Sequence, residues 1–167
     1  MTPNMAARLK RGFNPREVAA QIVDTAANVV APAITATVER VAAGAVAEAQ
    51  RIIKDKQADF EPLSPEYAAW KKRTDADPRE LMATREYVNS FTYEQVGPFM
   101  FRVGVPADAV HASGVPMPML MRFMEHGTSD GVPARPHWRV ARQRARIELL
   151  RALKDLESRN RKQLRKL

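Results

Sequence analysis

His111, His126 and His137 are the only imidazoles in a chain of 167 residues that contains no cysteine. Disulfides, thiolate nucleophiles and cysteine-based zinc sites are thereby excluded. No two of the histidines stand at helical ligand spacing, and a loop separates His126 from His137, so each is expected to be a packed or solvated side chain. Glu125 and His126 could be imagined as an acid–base pair, but adjacent residues of a helix point in different directions. Gly-rich phosphate loops, nucleophile elbows and HExxH helices do not occur. The residues therefore assign no catalytic group, no metal and no cofactor, and the chain reads as a non-enzyme.

Charge and loop geometry carry more information. The net charge of +8 is placed unevenly: 12 Lys/Arg face 3 Asp/Glu between Arg135 and Leu167, leaving 15 basic and 16 acidic groups for the rest of the chain. Along that segment Arg139, Arg142, Arg146, Arg159, Arg161, Lys162, Arg165 and Lys166 suit nonspecific contact with phosphates or with an acidic protein surface. No aromatic residue follows Trp138, so base stacking is not expected. Just upstream, Gly127 can end a helix in a left-handed conformation. Pro133 and Pro136 stiffen the following loop, and Arg135 between them offers a two-pronged donor for a carboxylate. The loop from Glu125 through Thr128 to Trp138 is expected to position the basic helix and to contact a neighbouring subunit. Met117, Met119, Met121 and Met124 cluster nearby, as core gap-fillers or as an adaptable apolar surface.

The elements that must hold these residues predict an α+β fold. A long kinked N-terminal helix, a small antiparallel sheet built on a hairpin and a long basic C-terminal helix make it up. Asn14-Pro15-Arg16-Glu17 has the form of a helix start, with Asn14 as cap and Glu17 completing a capping box. Val18, Ile22, Ala26, Val29, Ala33, Thr37, Val41, Ala45, Ala49 and Ile52 then trace one helical stripe to about Lys56. Pro32 is expected to break or bend it. After a proline-bearing loop over 59–65, Ser64 caps a short helix through Tyr67, Trp70 and Lys71. Thr74 to Pro78 is a polar turn, and Arg79 to about Asn89 reads as helix.

Phe99, Phe101, Val103 and Val105 alternate with Met100, Arg102 and Gly104, and Gly97-Pro98 separates them from Phe91–Val96. That is a hairpin with one apolar face. A loop over 106–118 leads to a helix at Met119–His126. A last helix begins at His137 and carries Val140, Ile147, Leu150, Leu153, Leu156 and Leu164 on one side. Residues 1–60 form an N-terminal helical extension, and 61–167 an α+β domain that ends in the basic helix.

Composition bounds the setting. The chain is 45% hydrophobic but only 7% aromatic, so its alanine-rich core buries little per residue and is expected to complete its burial against another subunit. With no run of about 18 apolar residues, no membrane span is expected. Arg8, Lys10 and Arg11 precede no apolar signal core, so classical export is not indicated. The lack of cysteine fits a reducing cytoplasm.

Two stretches resemble a known family. Pro62-Leu63-Ser64-Pro65-Glu66-Tyr67-Ala68-Ala69-Trp70-Lys71-Lys72-Arg73, followed by Leu81-Met82-Ala83-Thr84-Arg85-Glu86-Tyr87-Val88-Asn89-Ser90-Phe91-Thr92-Tyr93, is similar to the pattern of Mu-type phage virion-morphogenesis and tail-completion proteins. Phe123-Met124-Glu125-His126-Gly127-Thr128, then Val132-Pro133-Ala134-Arg135-Pro136-His137-Trp138, resembles a signature shared with neck proteins of long-tailed phages. The order is kept, with the hairpin in between, over about residues 62–145. Arg85 stands where the family usually has glycine, which predicts continued helix in place of a turn. His137 takes the usual aromatic position, with Trp138 one place later.

The resemblance implies a structural virion protein of the head–tail neck or tail-completion region. Such a subunit forms a ring around the DNA channel, a hexamer or a dodecamer, that joins connector to tail. Its partners would be copies of itself, other neck, connector and tail proteins and packaged DNA, with no membrane. Its location would be the virion, and the host cytoplasm during assembly. The alternative is a nonspecific DNA-binding module that acts through the basic C-terminal helix.

Overall fold

The computed structural model describes residues 15–55, 60–76, 78, 84–129 and 131–164. Its elements, in chain order, are α1 (Pro15–Thr25), a π-helical turn (Ala26–Val30), α2 (Ala31–Asp55), α3 (Pro65–Arg73), α4 (Glu86–Asn89), β1 (Thr92–Gly97), β2 (Met100–Gly104), α5 (Met117–His126) and α6 (Trp138–Leu164). The fold class is α+β, as the sequence predicts. The expected Asn14 cap lies outside the described residues, as does the segment 79–83 of the helix expected to end at Asn89.

Pro32 does not end the N-terminal helix. A proline donates no hydrogen bond to the preceding turn and crowds it. The turn before Pro32 widens to π geometry, with the Ala31 N–H bonded to the Ala26 carbonyl, and the helix runs on into α2. The predicted apolar stripe is buried only in its second half, at Val41, Ala45, Ala49 and Ile52, joined by Ala42 and Ile53. Every described side chain from Arg16 to Asp24 is exposed. By length and composition Ala19–Asp55 is apolar enough to cross a membrane, yet its C-terminal half is the spine of this protein's core.

α6 lies antiparallel to α2: Gly44 faces Glu148, and Glu48 pairs with Arg144. Here the expected stripe of α6 needs correcting. Of the expected residues Val140, Leu153 and Leu156 are half-buried, but Ile147 and Leu150 are exposed, and the face turned to α2 runs through buried Ala141 and half-buried Ala145, Leu149, Ala152 and Leu156. Alanine-rich α2 allows close approach, and three alanines on the facing side of α6 suit it.

The hairpin pairs Thr92 with Gly104 and Glu94 with Arg102, and its register shifts between Gln95 and Gly97. Pro98-Phe99 makes the turn, with Phe99 at φ +60°. A lone hairpin is marginal in water; this one packs on α2, with Phe101 and Val103 half-buried. Phe60, Tyr87, Val88, Phe91 and Met117 complete the core around Ala49, Ile53 and Ala141. Met121 and Met124 pack against it while Met119 is exposed, so most of the methionine cluster fills core space.

Ser64 caps α3 through its hydroxyl, which accepts from the Tyr67 N–H at 3.3 Å. Arg85 overturns one expectation. Its φ of +61° keeps a left-handed turn before α4, so the helix does not continue through it.

Candidate functional site

The residues marked by the loop signature converge where α5 ends and α6 begins. α5 stops because Gly127 has φ +75° and ψ −179°, a conformation reserved for glycine but not the left-handed helical one expected. A Cβ at this position would lie 2.7 Å from the Val132 carbonyl oxygen. The Thr128 N–H donates to the Val132 carbonyl at 3.0 Å, and the Val132 N–H to the Thr128 hydroxyl at 3.2 Å, which closes a tight turn. The Arg135 N–H then bonds back to the Met124 carbonyl at 2.6 Å.

This return brings the first turn of α6 onto Glu125. Its buried carboxylate accepts from the backbone N–H groups of His137 at 2.9 Å, Trp138 at 2.5 Å and Arg139 at 3.2 Å. A helix's first N–H groups lack intrahelical partners and carry the positive end of its dipole. Glu125 therefore caps α6 from a different helix.

His137 is fully buried beside it. Its Nδ1 lies 2.8 Å from the Arg135 carbonyl, which can only accept, so Nδ1 carries the proton and Nε2 accepts from the Tyr87 hydroxyl at 2.7 Å. Burial holds the imidazole below its usual pKa, opposed by the Arg135 carbonyl and the Glu125 charge. Burial, reinforced by the same charge, pushes the Tyr87 phenol well above its usual range. His137 meets the rings of Tyr87 and Phe91 edge-on at 5.5 and 5.6 Å, filling the aromatic position that the signature leads one to expect.

Arg135 is buried too, and donates to the carbonyls of Pro133 at 3.3 Å and Glu61 at 3.2 Å. The sequence offered its fork to a carboxylate; the fold sets it against backbone carbonyls instead. Pro133, Pro136 and Trp138 are half-buried. The loop thus positions the basic helix through contacts within its own chain.

Of the basic residues, Arg139, Arg142, Arg146 and Arg159 are exposed on α6, and Arg161 pairs with Glu157 at 2.6 Å. The Lys162 side chain and residues Arg165 and Lys166 lie outside the described residues. Glu48, bonded to Arg51 and Arg144, titrates at about 2 because those guanidiniums stabilise its charged form.

Two arrangements escaped sequence reasoning. The Ser113 hydroxyl lies 2.8 Å from His111 Nδ1, whose Nε2 is 3.4 Å from Glu86, the residue types of a hydrolytic relay. The Ser113 N–H bonds the same Nδ1 at 3.1 Å, and Glu86 accepts from the Ala112 N–H at 3.1 and 3.2 Å. The cluster clamps the 106–116 loop to α4. On α3 the usual order is inverted. Tyr67 and Trp70 stack in the open with centroids 5.3 Å apart, while Lys71 is buried with Nζ 5.4 Å from the Tyr67 ring centre. The spacings within each group are local, but the Glu86 contact and the burial of Lys71 in place of Trp70 are set by tertiary packing.

Among the described residues no group of acidic and imidazole side chains could hold a metal. No known family, curated protein or solved structure matches the chain. The functional reading therefore rests on the residues and their geometry.

Proposed function

We propose that this chain is a structural subunit of the head–tail neck or tail-completion region of a tailed phage, assembling as a ring around the DNA channel. One observation carries the reading. The buried Glu125 carboxylate is consumed internally to cap α6, while large apolar side chains stay uncovered on α1, α3, α6 and the hairpin. A fold that spends its loop carboxylate on its own backbone yet leaves Ile22, Trp70, Phe99 and Leu150 in water is shaped for burial by neighbours. The positive φ of Arg85 supports the family resemblance, because the family usually places glycine there.

Light scattering and negative-stain microscopy of the purified chain test the reading, together with mass spectrometry of particles of the encoding phage. Ring-shaped oligomers and a constant copy number per particle are expected. Absence of the chain from mature particles refutes the proposal.

The exposed arginines of α6 favour the second reading, a DNA-binding module. That reading predicts salt-dependent binding to duplex DNA by the monomer, lost when residues after Ser158 are removed.

A further inference from the structure

Two helix faces of the chain are left uncovered, and they match each other. On α1 and the π turn, Ala19, Ile22, Ala26 and Val29 follow at spacings of three and four, and all are exposed, Ile22 at 54% and Val29 at 46%. Val23 beside them is 67% exposed. This stripe continues the one that α6 covers on α2, but it lies beyond the part that is buried. On the outer side of α6, Arg139, Gln143, Arg146, Leu150 and Lys154 follow at spacings of four, three, four and four, all exposed. Leu150 at 62% and neighbouring Ile147 at 44% are large apolar groups set among bases.

Phosphate contact alone gives no reason for those two side chains. A partner with an apolar stripe and acidic flanks does. Among the described residues, Arg139, Arg142, Arg146 and Lys154 form no ion pair. α1 carries Glu17 and Asp24 against Arg16.

We infer that α1 of one copy lies along the outer face of α6 of the next copy. The inference rests on the ring reading and supplies its joint. Two different faces of one chain are joined, so the contact is head-to-tail, and repetition closes a ring when the rotation between copies allows it. Ile22 and Val29 would lie near Leu150 and Ile147, with Asp24 toward the arginines.

The test uses two full-length variants: Ile22→Asp with Val29→Asp, and Ile147→Asp with Leu150→Asp. All four positions are exposed, so circular dichroism and urea midpoints should match those of the wild type. In sedimentation velocity the wild type is expected to be oligomeric and each variant to run as an 18.7 kDa monomer. An equimolar mixture has one intact joint and should form a single species of twice that mass, with nothing larger. Three outcomes overturn the inference. A variant that keeps the wild-type oligomer places the joint elsewhere and leaves the ring reading standing. Monomeric variants that do not pair when mixed exclude the head-to-tail contact alone. A wild type that stays monomeric while binding duplex DNA overturns both this joint and the ring.

Discussion

Replacing Glu125 by glutamine isolates the charge that caps α6. In the native chain one carboxylate oxygen accepts from the N–H groups of His137 and Trp138, and the other from that of Arg139. Glutamine keeps the volume and can keep the first oxygen, but it sets an NH2 group against the Arg139 N–H, donor facing donor. The variant loses one charge-assisted bond, weakens two others and forfeits the favourable placement of a negative charge at a helix N-terminus. Each such loss in a buried site amounts to about 1–2 kcal/mol. Their partial overlap gives an expected destabilisation of about 2–3 kcal/mol. With a urea slope of about 2 kcal/mol/M, the midpoint falls by about 1–1.5 M at unchanged slope. Far-ultraviolet circular dichroism at a concentration where the chain is monomeric reads it. Glu125→Ala should cost more, about 4 kcal/mol, because three buried donors then lose their acceptor. A Glu125→Gln midpoint within about 0.2 M of wild type would show that water or a rearranged backbone serves α6 equally well, and the cap would carry no weight.

His137 makes stability depend on pH. Its native pKa lies below the ordinary 6.5, so below that pH the unfolded chain takes up a proton that the folded chain refuses. Stability should fall between pH 7.5 and 5.5 with a slope approaching about 1.4 kcal/mol per unit, and His137→Phe should abolish the slope in paired urea titrations. Glu48 stays outside that window: its depressed pKa of about 2 supports stability above its unfolded value, and that support is lost as pH drops from near 4.5 toward 2. Gly127→Ala should cost at least about 2 kcal/mol in thermal melts, through a positive φ and a Cβ driven against the Val132 carbonyl. Arg85→Gly should raise stability by about 0.5 kcal/mol, since relief of left-handed strain exceeds the added freedom of the unfolded chain. An unchanged or lower melting temperature for that variant would mean that the arginine side chain supplies more than its backbone costs.

The candidate site was half legible. Glycine, two prolines and an arginine in a short loop before a basic helix announced a positioning device, and the fold has one. What Glu125 grips was not legible, since its partners are backbone N–H groups that every residue owns, 12 to 14 positions away. The inward turn of Arg135 depends on the Glu61 carbonyl, 74 residues off in sequence.

Local order came from the chain's own pattern. Alternation around Phe101 specified the hairpin, Ser64-Pro65 a helix start, and the crowding of Arg and Lys after Arg135 a basic last helix. Each depends on neighbours within a few residues, where covalent geometry and short-range sterics act. Which side of a helix goes dark depends on what packs across from it, and that is tertiary. Ala141 rather than Ile147 meets α2 because the alanines of α2 permit close approach. Lys71 is buried while Trp70 faces water, and the stripe of α1 stays exposed because within the chain only its continuation on α2 is buried. Periodicity marks an apolar face, but only the arrangement of distant elements decides whether this chain covers that face itself.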